Sequence, residues 1–298
     1  KNKVIISFDY DSCHWGFSEG LSLVKKNGKF GFVNKEGKLV IPFQFDYEEG
    51  FISNFSSGLA LVKKEGKYGF VDKKGKTIIP LIYEDAFGFS SGLAPVRKFG
   101  EWGYINTSGK LIIPFQYDYA HPFIEGLASV IKRGKFGFIN TSGIPVVPLI
   151  YDGSIWGFYG GLALVHKNDL WGCVDSNGNV AIPLEYDDIF VFSEGLSAVR
   201  KNGKWGYIDL KGKLVIPLEY DYAGNFSDGL AYVKKKGFSG FINRMKETLI
   251  SFDFSCQNGY NIQFINGLAI ICREKKFGVI DKKGKVIVPF EYDWLGNG

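Results

Sequence analysis

One dipeptide recurs at an almost constant interval and constrains this chain more than any other feature. Gly-Leu stands at Gly20, Gly58, Gly92, Gly126, Gly161, Gly195, Gly229 and Gly267, with spacings of 38, 34, 34, 35, 34, 34 and 38 residues. A fixed period in this range marks a tandem array, in which each unit buries a face it cannot bury alone. The copy from Gly58 to Ser91 divides into three strand-like runs: Leu59 to Lys64, Lys67 to Asp72, and Thr77 to about Glu84. The first two are joined by Glu65-Gly66, and by Asn27-Gly28 and Asn202-Gly203 in sister copies. Asn-Gly between strands is a hairpin signal because both residues tolerate positive φ. The next joint is a four-residue turn opened by Asn or Asp (Asn34, Asp72, Asn106, Asn140, Asp175, Asp209, Asn243, Asp281) and closed by Gly, with Lys246 the exception. An Asx side chain caps its own turn and Gly supplies the left-handed residue after it. Each copy therefore reads as a three-stranded antiparallel meander.

The second strand carries aromatic-Gly-aromatic, as in Phe30-Gly31-Phe32, Trp102-Gly103-Tyr104 and Trp205-Gly206-Tyr207. Strand alternation places both rings on one face, toward the core, and the glycine on the other, where a backbone or ring can come close. The third strand carries Pro42, Pro80, Pro114, Pro148, Pro183, Pro217 and Pro289. Proline donates nothing to a ladder, so a bulge or an edge is expected there. An aromatic and an acid follow: Tyr10-Asp11, Phe45-Asp46, Tyr83-Glu84, Tyr117-Asp118, Tyr151-Asp152, Tyr186-Asp187, Tyr220-Asp221 and Tyr292-Asp293.

These residues resemble the bacterial WG-repeat family, also called KWG repeats. The match lies in Gly-Leu-Ala, Lys-Trp-Gly-Tyr-Ile-Asp, Gly-Lys, and Ile-Pro followed by Tyr-Asp, and is clearest from Gly195 to Asp221. It covers essentially the whole chain. Departures are Ser239 in place of an aromatic, and Ser7 and Ser251 in place of Pro, so repeat seven, from Gly229 to about Asn266, reads as a bend or a capping unit. The resemblance implies a tandem β-repeat fold without known catalytic residues.

The expected architecture is all-β: one domain over 1–298, with an extra N-terminal tail strand in 1–12 and eight repeats starting near the glycines named above. Eight heads against nine tails, and a repeat shorter than the roughly 40 residues of a four-stranded propeller blade, favour an open, curved or superhelical, solenoid-like stack. The alternative is a closed propeller-like ring. A Cys13–Cys256 bridge would favour the ring, since it would join the first and last atypical copies.

Most enzyme classes lack support. The four cysteines (Cys13, Cys173, Cys256, Cys272) include no CxxC, so neither zinc site nor other metal is expected. No cofactor is expected either, as a glycine-rich phosphate loop between strand and helix is missing. Asp11, Cys13 and His14 have the residue types of a nucleophile cluster, but adjacency in sequence does not bring such groups to hydrogen-bond reach. The acid after Tyr reads as an acceptor for turn amides rather than a calcium ligand, because calcium needs six to eight converging oxygens. No run approaches the roughly 20 apolar residues of a membrane helix, so no membrane insertion is expected.

Two features suggest binding. Basic pairs stand at the hairpins, among them Lys25-Lys26, Lys63-Lys64, Arg200-Lys201 and Lys234-Lys235-Lys236. A net charge of only +5 makes nucleic acid an improbable ligand. Aromatics outside the repeating core, Trp15, Tyr47, Tyr119, Trp156, Tyr159, Tyr222 and Trp294, are the candidate ligand-binding residues. The functional expectation is a non-enzymatic scaffold that binds a protein partner through one extended face. The alternative is a carbohydrate-binding module of the cell envelope that uses those aromatics. The sequence leaves the compartment open.

Overall fold

A computed structural model describes residues 10–46, 54–154, 157–252 and 262–293. These are strands and turns with no helix among them. Contacts divide the chain into two compact units, 1–151 and 152–298, each holding four repeat sheets.

Repeat three shows how the sequence builds one sheet. Leu93–Lys98 pairs with Glu101–Asn106 in unbroken antiparallel register. The hairpin between them is Phe99-Gly100, with φ of 57° and 79°, the double left-handed geometry that suits the twist of paired strands. Asn106 then closes the next turn as expected. Its carbonyl accepts the Gly109 amide at 2.9 Å, and its Oδ1 accepts the amides of Ser108 and Lys110 at 3.1 and 2.9 Å. Repeat seven makes the same turn with Lys246 in the glycine position, held at φ +66°.

Leu111–Tyr117 completes the meander, and the proline falls in a bulge. Trp102 lies opposite Tyr117 and Tyr104 opposite Ile113, so the one residue between them, Gly103, faces three on the other strand, Pro114 to Gln116. This bulge folds the last strand over the glycine. A Cβ on Gly103 would sit 2.7 Å from the Ile113 carbonyl oxygen and 3.0 Å from the Phe115 nitrogen. The glycine is required by its own sheet, and the neighbouring repeat is not what crowds it.

The three strands expected per repeat are joined by a fourth. Asp85–Ala86 pairs with Leu93–Lys98 at the other side of the sheet, and among the described residues seven of the eight sheets are four-stranded. Thirty-four residues hold four strands because this one has two residues and is borrowed from the tail of the preceding copy. The repeat-length argument against four-stranded units therefore fails. In the first sheet Ser12–Ser18 takes that place. The expected tail strand in 1–12 falls largely outside the described residues.

The core lies between successive sheets. In the first unit, Trp102, Tyr104, Ile113 and Tyr117 of repeat three pack on Ala120, Phe123, Ala128, Val130 and Ile139 of repeat four. In the second unit, repeat seven contributes one face to a cluster with repeat six and the other to a cluster with repeat eight. It is an internal sheet and not a cap. Lacking the proline, it also lacks that bulge: Gly240 pairs Ser251 and Phe241 pairs Ile250 in step.

Polar ties reinforce the apolar contacts. Ser18, Ser56 and Ser193 donate to the carbonyls of Phe55, Phe89 and Phe226 one repeat on, at 2.7, 3.1 and 2.7 Å. Buried Tyr104 and Tyr207 donate their hydroxyls to the carbonyls of His121 and Gly224, at 2.9 and 2.7 Å. Burial raises both phenol pKa values, so these groups stay neutral donors.

Candidate interaction surface

The tail acid sits where the chain passes from one sheet to the next, and it caps the following repeat's hairpin. Glu84 accepts the amides of Phe99 and Gly100, both at 3.0 Å. Asp118, Asp152 and Asp221 accept those of Gly134, Asn168 and Lys236 at 3.0, 2.8 and 2.7 Å. Two-residue turns with positive φ leave inner amides unpaired, and a carboxylate satisfies them. The acids are thus committed to structure.

They also absorb part of the basic hairpins. Lys29, Lys204 and Lys276 form ion pairs with Asp46, Asp221 and Asp293. Lys201 and Lys235 pair with Glu185 and Glu219 at 2.9 and 2.8 Å. The ammonium of Lys29 and the Glu65 amide hold the Asp46 carboxyl below the ordinary carboxylate range; Lys204 and the Lys236 amide do so for Asp221. A lowered native pKa means that the unfolded chain binds the proton more tightly. The resulting stability is present above the ordinary range and disappears as pH falls through the native values. Urea midpoints are expected to fall modestly below about pH 4, and Asp46→Asn is expected to flatten that dependence.

The candidate aromatics separate. Tyr119 is half-buried, with ring centroids 5.3 Å from Trp102 and 4.8 Å from His121. Tyr222 is half-buried, 6.0 Å from Trp205 and 6.1 Å from Tyr232. Tyr159 is 50 % exposed. Tyr119 belongs to the first unit, Tyr159 and Tyr222 to the second. Tyr47, Trp156 and Trp294 lie outside the described residues, as does the side chain of Trp15.

Among the described residues the thiols and imidazoles do not assemble with carboxylates into a cluster. Cys13 is an exposed free thiol, so it is not bridged to Cys256, and Cys272 is disulfide-bonded. Asp11 accepts the Gly28 amide at 3.5 Å. The His14 side chain is outside the described residues. Cys173 is buried among apolar neighbours, which pushes its pKa up to about 12, so it packs as a small hydrophobe. A cavity of about 330 Å³ opens beside Ser239, but Lys235 and Lys246 at its edge both pair with Glu219.

The exposed apolar residues form a pattern that the sequence reading missed. On the last strand of successive sheets, Leu39, Ile78, Leu111 and Ile112 in the first unit are 38 to 41 % exposed, and Ile144, in the turn just before the fourth such strand, is 60 % exposed. Val180, Leu214, Val215, Leu249, Val286 and Ile287 repeat the pattern in the second. Triplets such as Leu39-Val40-Ile41 look like buried strand in sequence. Only the third member is buried, because this strand is the last in its sheet.

Comparison with family models matches residues 1–30, 30–68, 68–100, 102–136, 136–171, 171–205, 205–237 and 277–297 to the WG containing repeat. The chain belongs to the WG-repeat family. The stretch left unmatched, 238–276, includes Ser239 and Ser251, the positions where repeat seven loses its aromatic and its proline. No curated protein matches this WG-repeat chain. Among solved structures it is similar to one titled as the eukaryotic initiation factor, with 11% identity, covering 93% of this chain and 87% of that one, at a TM-score of 0.48. It is also similar to Hsv2 of Kluyvelomyces marxianus, with 6% identity over 78% of this chain and 94% of that one, at a TM-score of 0.38. A third is the AfRom2 CNH domain, with 12% identity over 83% of this chain and 95% of that one, at a TM-score of 0.35.

Proposed function

We propose that this WG-repeat protein is a non-enzymatic scaffold that binds a protein partner along the last strands of its sheets. The observation that carries the reading is the row of exposed aliphatic side chains, one or two per repeat, on those strands. Single exposed aliphatics are ordinary on protein surfaces, but here they recur within each unit at two adjacent repeat positions, that of Leu39, Leu111, Val180, Leu214 and Val286 and that of Ile78, Ile112, Val215, Leu249 and Ile287, and recurring exposed apolar groups of this kind mark an interface. Repeat proteins supply such surfaces because each unit presents its equivalent residue beside the last. The carbohydrate reading has less support, since Tyr119 and Tyr222 spend their rings in packing.

The test is affinity isolation on the wild-type chain and on a variant carrying Leu39→Ser, Ile78→Ser and Ile112→Ser, followed by reconstitution with the purified partner. The expected result is a partner that binds wild type directly and is lost from the variant, with the melting profile unchanged. Retention of that partner by the variant, or turnover of a substrate by the pure chain, would overturn the reading.

A further inference from the structure

We infer that the exposed strip of the first unit receives an extended, acidic segment of a polypeptide partner, with apolar side chains on the aliphatic row and carboxylates on the lysines that flank it. This rests on the scaffold reading above and adds the chemistry of the partner.

Three observations place the groups together. The first is a contact between repeats. A Cβ on Gly75 would lie 3.2 Å from the Ile41 side chain, one on Gly109 3.4 Å from Ile79, and one on Gly143 3.2 Å from Ile113. The Asx turn of each copy therefore rests on the last strand of the copy before it. The residues just before those isoleucines, Val40, Ile78 and Ile112, occupy equivalent positions in successive repeats, and strand alternation turns them away from the buried face; Ile78 and Ile112 are exposed and Val40 half-buried.

The second is unspent positive charge. The turns and the strand starts they lead into carry Lys35, Lys38, Lys74, Lys76 and Lys110, all exposed and none in an ion pair among the described residues. At the hairpin end of the same unit several cations are engaged: Lys29 pairs with Asp46, Arg97 lies 3.8 Å from Glu84, and Lys63 lies 4.9 Å over the Tyr68 ring. Lys73 in the second turn is also paired, with Glu19 at 2.9 Å, so the charge left over at the turn end, which also exposes the aliphatics, is that of the five lysines named above.

The third is the disposition of the acids. Asp72 is bound to its own turn, with Oδ1 accepting the amides of Lys74 and Lys76, both at 2.9 Å. Glu36 is an exposed carboxylate in these turns, and Glu19 reaches them by pairing with Lys73 and accepting the Gly58 amide. The strip is thus apolar at its centre and cationic along its border. A partner with the opposite pattern, apolar residues alternating with Asp or Glu, satisfies both features at once. An extended segment fits because successive repeats present their contacts along a line rather than around a pocket.

The test is fluorescence anisotropy on the full chain with a labelled, end-capped peptide of alternating Glu and Val. Two further peptides serve as comparators, one with Lys and one retaining Glu but with Ser for Val. The Glu–Val peptide is expected to bind, to weaken with added salt, and to lose about ten-fold or more in affinity on the triple change Lys74→Glu, Lys76→Glu, Lys110→Glu, in line with three exposed charge contacts. Ile78→Ser with Ile112→Ser is expected to weaken it similarly, with melting unchanged in both variants. Absence of Glu–Val binding, equal binding of the Lys peptide, equal binding of the Glu–Ser peptide, which would make the strip a general polyanion site, or insensitivity to the lysine changes would each overturn the inference. If the isolated partner is lost on the serine changes but kept on the lysine changes, the acidic assignment falls and the scaffold reading stands. If it is kept on both, the scaffold reading falls as well.

Discussion

Replacing Gly103 by valine is expected to destabilise the protein by about 3 kcal/mol, at the upper end of what overpacking ordinarily costs. The new Cβ would meet the Ile113 carbonyl oxygen at 2.7 Å, and the Pro114 and Phe115 backbone at 3.0 Å. No flexible side chain is there to yield. Relief requires the bulged strand to lift, and that strand carries Ile113 and Tyr117 into the core with repeat four. Urea denaturation of Gly103→Val against wild type measures the effect. Gly100→Ala is the informative control. Its Cβ would meet nothing within 4 Å, but its φ of +79° is unfavourable for alanine, so a loss of only about 1 to 2 kcal/mol is expected. Equal losses in the two variants would show that crowding by the bulge is not what requires glycine at position 103.

Phe123→Ala is expected to cost about 3 to 5 kcal/mol, the range for removing a fully buried phenyl ring. Phe123 is wholly shielded from solvent, and its ring centroid lies 4.9 Å from that of Tyr104 in the preceding repeat. Its carbonyl also receives the Ser90 hydroxyl. The substitution keeps that hydrogen bond and empties the space between two sheets, so it isolates the apolar part of the junction. Because the core is shared between neighbours, the loss is expected to spread from repeat four into repeat three. Hydrogen exchange would then accelerate at the amides of Glu101–Asn106 as well as around the substituted site. Exchange confined to repeat four would contradict a core shared across sheets.

These two positions show which links of the argument run directly from residue to structure. The turns are written in local chemistry. Asn106 and Gly109 close their turn by contacts within a few residues, and the backbone strain at Phe99 and Gly100 is local too. Alternation put Trp102 and Tyr104 on the core side for the same reason. The strand count was harder to read. Asp85–Ala86 is a strand because the Leu93–Lys98 strand accepts it, and two residues have no pattern of their own. The tail acid was legible as an acceptor for turn amides. That its amides belong to the next copy, 15 or 16 residues on for Glu84, depends on the passage from one sheet to the next.

The candidate site divides in the same way. Tyr119 and Tyr222 looked like free rings because they depart from the repeating core pattern, yet both fill space beside Trp102 and Trp205. Ile78 and Ile112 looked like core because they sit in apolar strands, yet both face solvent.

By itself, the amino-acid order determined the repeat, its turns, the face of each second-strand ring and the position of each proline bulge. Those properties are set by φ preferences, strand alternation and missing donors within a few residues of chain. Tertiary structure alone decided which strand lies last in its sheet, which lysines find a carboxylate and which aliphatics stay in water. Burial and charge pairing depend on what another strand or a neighbouring sheet brings within a few ångströms, and that partner lies half a repeat or more away in the chain.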